Sequence, residues 1–140
     1  MIDAKEYLKQ IARDNAVIEN KLAEIRQLES LATNISSVVS DTPVQSSGSH
    51  DRVGKLAADI ADKKAELQLF VNELIDKRNE RIKLIEQLED RLEYTVLYKR
   101  YMQQMKFEDI ADEEYYSKRW IVTVHANGIK NLQTILNNSL

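Results

Sequence analysis

Apolar residues recur at helical steps along most of the chain. Over residues 2–35, Ala4, Leu8, Ile11, Ile18, Leu22, Ile25 and Ala32 follow at steps of three and four or their sums, which makes one stripe of an α-helix. Glu, Lys, Arg and Gln fill the other faces. Leu28, Leu31, Ile35 and Val38 continue a stripe turned by about one residue, a change of supercoil phase. Residues 36–51, SSVVSDTPVQSSGSHD, hold six Ser, the only Pro and one of the three Gly. Helix propensity falls there, so the stretch reads as a connector. Asp51 is a better cap than His50 for the helix that follows, because its carboxylate accepts from free backbone N–H groups. Residues 52–88 carry a second stripe: Val53, Ala57, Ile60, Leu67, Val71, Leu74, Ile85 and Leu88. Asn15 interrupts the first stripe, and Lys64 and Arg78 the second. Such residues either fix the register of the helix pair or lie at the stripe edge with their stems over apolar surface. Two amphipathic helices joined by one connector predict an antiparallel, coiled-coil-like hairpin. Its stripes face each other or a second copy of the chain.

The pattern changes near Glu89-Asp90. Asp90 can cap a new helix, RLEYTVLYKRYMQQ, with Leu92, Val96 or Leu97, Tyr101 and Met102 on its buried face. A short amphipathic helix, FEDIADEEYY, follows around Ile110 and Ala111. Ser117 then caps a last helix, SKRWIVTVHANGIKNLQTIL. A long helix, a short one, a turn and a long one form the outline of a helix-turn-helix reader of DNA, whose second helix enters the major groove. The fold class expected is all-α: a hairpin over 1–88 with its linker at 36–51, then a helix-turn-helix domain over 89–140.

Composition narrows the alternatives. Three Gly and one Pro in 140 residues supply too few turns for a sandwich, a barrel or a doubly wound sheet. The absence of Cys removes disulfide frameworks, thiolate zinc sites and cysteine nucleophiles together. No Gly-rich phosphate loop, zincin pair or nucleophile elbow is present, so neither a catalytic site nor a cofactor is expected. His50 and His125 stand apart and make no metal site. His125, mid-helix between Ile121 and Ile129, reads as a packed histidine, and Tyr94, Tyr98 and Tyr101 read as packing residues. No secretory segment or membrane span is expected, and the location expected is the cytoplasm.

A net charge of −3 excludes a uniformly basic binder of nucleic acid and leaves room for a basic face. Residues 115–140 contain Lys118, Arg119 and Lys130 and no Asp or Glu. Lys99, Arg100 and Lys106 stand upstream, and the acids Glu108, Asp109, Asp112, Glu113 and Glu114 gather in the short helix. Ser117, Lys118, Arg119 and Trp120 form the start of the last helix, where free N–H groups and cations both favour phosphate. Arg119 is also suited to a guanine edge, and Trp120 to a base, a sugar or the edge of the core.

The stretch YKRYMQQMKFEDIADEEYYSKRWIVTVHANGIKNL resembles the C-terminal helix-turn-helix of ArpU/RinA-type phage transcriptional regulators and, more distantly, the promoter-reading fourth region of sigma-70-type factors. The shared skeleton is Arg100-Tyr101, Phe107-Glu108-Asp109, Ile110-Ala111, Tyr116-Ser117, Lys118-Arg119, Ile121, His125 and Leu132. The whole chain, with its linker PVQSSGSHD, is similar to small phage proteins that carry a helical part before this module. Glu114 stands where such modules place an apolar residue, and Tyr115 where a Gly or Asn makes the turn. Thr123 and Asn127 take positions that are often basic. The resemblance implies regulation of transcription in a bacterial host cell through double-stranded DNA. It implies Arg100, Lys106, Ser117, Lys118, Arg119, Trp120, Thr123, Asn127 and Lys130 as DNA contacts, and a homo-oligomer, in the first place a dimer. Host RNA polymerase is a second implied partner, and no membrane is. Two rival readings are a coiled-coil assembly protein and a small-terminase-like subunit for DNA packaging.

Overall fold

The computed structural model describes residues 2–41 and 47–139, and throughout these the chain is all-α. Helix α1 covers Ala4–Asp41, α2 Ser47–Ile85, α3 Arg91–Leu97, α4 Phe107–Glu114 and α5 Lys118–Ser139; a π-helical turn, Tyr98–Met102, continues α3. Rising numbers on α1 meet falling numbers on α2. Arg78 Nη1 donates to Asn15 Oδ1 at 2.9 Å, and Lys64 Nζ lies 3.1 Å from Glu29 Oε1. The two helices thus pair antiparallel, and the residues that interrupt their stripes reach polar groups on the opposite helix.

The chain packs as two units that differ from the segments 1–88 and 89–140. One takes residues 17–75, the other residues 1–16 together with 76–140. In the first, Ile18 and Ile25 of α1 are buried against Leu67 and Val71 of α2, flanked by Leu22, Leu28, Leu74 and Ile75. In the second, one cluster joins Ala4, Leu8 and Ile11 to Ile85, Leu88, Leu97, Tyr101, Leu132 and Leu136. A neighbouring cluster holds Val96, Ile110, Ala111, Ile121 and Val124. Full burial of each Leu, Ile or Val contributes about 1.5–3 kcal/mol. The first half of α5 belongs to one cluster and the second half to the other, so α5 is anchored along its whole length.

Polar groups fix this second unit further. Gln133 Oε1 accepts from the Ala4 N–H at 2.7 Å while its Nε2 donates to the Ile2 carbonyl at 2.8 Å. One side chain thereby holds the start of α1 to α5. Buried Asp14 forms an ion pair with Arg81 and accepts from Gln10 Nε2 at 2.9 Å, so its charge is matched.

The connector is shorter than residues 36–51. Helix α1 runs on through Ser36–Asp41, and α2 is already helical at Ser47, which puts Asp51 inside it rather than at its cap. Ser, Val and Asp each cost up to about 0.7 kcal/mol against Ala in a helix, which weakens a helix without ending it. Pro43 lies outside the described residues, as does the side chain of Val38. Leu31 and Ala57 are exposed, so the stripes are narrower than their spacing indicates. The expected helix over 91–104 is α-helical only to Leu97. It then widens, with the Gln103 N–H donating to the Tyr98 carbonyl at 3.3 Å. Asn15 Nδ2 donates to the Met102 carbonyl at 3.3 Å and fixes the end of this turn.

Candidate nucleic-acid interface

Two caps set the geometry of the last three helices. Asp90 Oδ1 accepts from the Leu92 and Glu93 N–H groups at 2.9 and 3.1 Å and starts α3. Ser117 Oγ accepts from the Trp120 N–H at 3.1 Å and starts α5. Between α4 and α5 lie only Tyr115, Tyr116 and Ser117. The turn is made at Tyr115, in the left-handed region at φ 62 and ψ 41. The Tyr116 N–H donates to the Ala111 carbonyl at 3.0 Å and closes the end of α4.

The buried face of α5 carries Ile121, Val124, Gly128, Leu132 and Leu136. At 100° per residue, the opposite face carries Arg119, Thr123, Asn127 and Lys130, within about 80° of arc. All four are exposed. Thr123 Oγ1 also donates to the Arg119 carbonyl at 3.1 Å, which settles the hydroxyl on this face. Trp120 flanks the stripe and is 46% exposed. Lys106 is exposed immediately before α4.

Lys118 sits to one side and faces α4. Its Nζ is 2.6 Å from Glu108 Oε1, with both side chains more than half exposed. The Lys118 hydrogen bond is the main reason the Glu108 carboxyl titrates below its usual range, aided by a backbone hydrogen bond. Water screens a pair so exposed and leaves it weak. An arriving phosphate can therefore take Lys118 from Glu108 at little cost. Helical spacing does not reveal this pairing, because the two residues stand on different helices.

Arg100 does not join the face. Its Nη1 donates to the Met105 carbonyl at 2.9 Å, and the guanidinium lies 4.4 Å from the Phe107 ring centre. Half-buried between these partners, Arg100 acts as a brace for the loop into α4. Lys99 is likewise engaged, with Nζ 2.8 Å from Glu114 and 3.0 Å from Glu113. These hydrogen bonds, the Glu114 one first, raise its pKa. Glu114 is thus an anchor for the π-turn. The acids of α4 are spent partly on Lys99 and Lys118.

His125 is a packed histidine, as its place between Ile121 and Ile129 predicts, but the rings it meets come from Tyr101 and Phe107, which helical spacing does not reveal. Its ring stacks on Tyr101 at 5.7 Å and meets the edge of Phe107 at 5.1 Å, and its Nε2 is hydrogen-bonded to the Tyr101 hydroxyl at 2.9 Å. Burial, then the charges of Arg100 and Lys5, hold its pKa below the ordinary 6.5. The fold therefore favours the neutral ring. Below pH 6.5 the unfolded chain takes up a proton more readily than the folded one, so this stability is complete above that value and drains away as pH falls through the folded-state pKa. Urea midpoints measured between pH 7 and pH 5 fall more steeply for the native chain than for His125→Gln; identical slopes would show that His125 is not the titrating group.

A bulky residue in the left-handed region costs about 1–2 kcal/mol. The Tyr115 side chain is 94% exposed and obtains nothing from the core in return. Tyr115→Gly raises unfolding stability by about 0.5–1 kcal/mol, after the larger unfolded-state entropy of Gly is subtracted. A melting temperature that stays the same or drops would contradict the strain at this turn.

No family model, no curated protein and no solved structure matches the chain. Among the described residues, no helix is long and apolar enough to cross a membrane.

Proposed function

We propose that the chain is a phage-type transcriptional regulator that binds double-stranded DNA through α4 and α5. The observation that carries this reading is the outward stripe of α5. Arg119, Thr123, Asn127 and Lys130 stand in water along one face of α5, the helix that follows α4 after a three-residue turn, in a segment without a single acidic residue. Arg119 and Lys130 offer charge to phosphate, Asn127 has the amide that pairs with an adenine edge, and Arg119 has the fork that fits guanine. The resemblance to ArpU/RinA-type regulators points the same way. The hairpin then serves self-association or recruitment, with host RNA polymerase among its candidate partners. Exposed Leu69 and Phe70 on the 17–75 unit fit that second role.

The test is selection of bound fragments from random-sequence duplex DNA with the purified chain. A dimer enriches paired half-sites separated by about 10–10.5 base pairs or a multiple of that. Recovery of random sequence, equal to that of a variant without Lys118 and Arg119, would overturn the reading. A ring of many subunits that binds DNA without sequence preference would favour packaging instead. Because Glu108 competes for Lys118, Glu108→Gln raises duplex affinity by about two- to fivefold, the equivalent of an exposed ion pair. Unchanged affinity in a fluorescence-anisotropy titration at low salt would show that Lys118 takes no part.

A further inference from the structure

Duplex reading draws on Lys118, Arg119 and Trp120 of the segment Tyr115–Trp120 and gives the rings of Tyr115 and Tyr116 no task. Tyr115 is 94% exposed, Tyr116 49% and Trp120 46%. Six consecutive residues thus present three of the nine aromatic side chains of the protein to water. The fold does not need a ring at 115, where the backbone suits Gly or Asn better. Water does not favour it either, since each exposed ring keeps apolar surface wet. Lys118 and Arg119 stand between these rings along the chain, and no acid follows before the end of the sequence. Rings interleaved with cations suit a ligand that carries both flat π-faces and negative charge. Unpaired nucleotides have both, whereas a closed duplex hides its base faces in the stack and offers only edges.

We infer that Tyr115, Tyr116 and Trp120 form a stacking platform for unpaired bases, so that the preferred ligand is DNA in which a short melted or looped-out stretch adjoins a duplex. The inference rests on the duplex-reading role of α5 and adds the class of DNA structure it selects. The outward stripe of α5 holds the paired flank, Lys118 and Arg119 hold phosphates at the boundary, and the rings take the bases that leave the stack. Protein recognition by the same rings is the competing outcome; the cations at 118 and 119 favour nucleic acid, since Glu113 and Glu114, just before Tyr115, are paired with Lys99 and no acid follows.

The experiment uses the full chain and three labelled DNAs: a closed duplex, the same duplex with a short central bubble of thymidines, and the single strand alone. Trp120 is the only tryptophan, so its fluorescence reports on this platform alone. The bubble is expected to bind about tenfold more tightly than the closed duplex, since each stacked base contributes severalfold or more, and only unpaired DNA quenches Trp120. Tyr115→Gly, which the backbone accommodates without strain, lowers bubble affinity toward that of the closed duplex and leaves duplex affinity and melting temperature undiminished. Equal affinity for bubble and duplex, or a bubble preference that survives Tyr115→Gly, would overturn the platform while duplex reading stands. Failure to bind any of the three would overturn both.

Discussion

Replacing Lys118 and Arg119 together with Ala lowers duplex affinity about a hundredfold, because two charged contacts at about 1–3 kcal/mol each are lost. The plot of log affinity against log salt becomes shallower by about two, one for each phosphate no longer neutralised. Helicity is retained, since both side chains are exposed and neither belongs to a core cluster. The loss of Lys118 also leaves Glu108 without its partner, so the double variant presents a net carboxylate where it had an ion pair. Arg100→Ala behaves differently. It removes the brace between Met105 and Phe107 and reduces stability, with a weaker effect on the salt slope. A double variant that keeps its affinity, or loses it with an unchanged slope, would take the start of α5 out of the interface.

Leu97→Ala destabilises the protein by about 3 kcal/mol, in the range of buried Leu-to-Ala changes that leave a cavity. Leu97 is fully buried where α3 meets α5. The approach there is close because position 128 is Gly. A Cβ at 128 would lie 3.3 Å from Leu97 Cγ, 3.4 Å from its Cδ1 and 3.5 Å from Glu93 Cβ. Gly128→Ala therefore gains about 1 kcal/mol in helix propensity and loses a comparable amount to crowding, so its effect on the native chain is near zero. In the Leu97→Ala background the crowding is gone and the full gain of about 1 kcal/mol emerges. Urea unfolding of the four chains measures this. If Gly128→Ala stabilises equally in both backgrounds, the contact with Leu97 does not limit the approach of the two helices.

Such contacts separate what a sequence conveys from what it withholds. The stripes of Ile18, Ile25, Leu67 and Val71 were legible because a buried helix face must repeat at 3.6 residues. The caps at Asp90 and Ser117 were legible because few side chains satisfy free N–H groups. The ends of α1 and α2 were less so, since Ser-rich residues disfavour a helix too weakly to mark its last turn. The π-turn carried no local signal. Over five residues its side-chain spacing resembles that of an α-helix, and the partner that fixes its end, Asn15, is 87 positions away.

The candidate site divides in the same way. Its cations and the acid-free last segment could be counted from residue types alone. Their availability could not. Arg100 is drawn inward by Phe107, Lys118 is held by Glu108, and Arg119, Thr123, Asn127 and Lys130 are exposed on one face.

By itself, then, the order of residues determined the helices, the antiparallel pairing of the first two and the succession of short helix, turn and long helix. Periodicity and capping act within a few residues and are written into any stretch that obeys them. Only the tertiary structure decided that residues 1–16 join 76–140 in one unit, which cations remain free for a ligand, and that Tyr115 holds its ring in water at a left-handed turn. Those outcomes depend on burial and on charge pairs between residues far apart in the chain, and each is settled by competition among partners that no local pattern ranks.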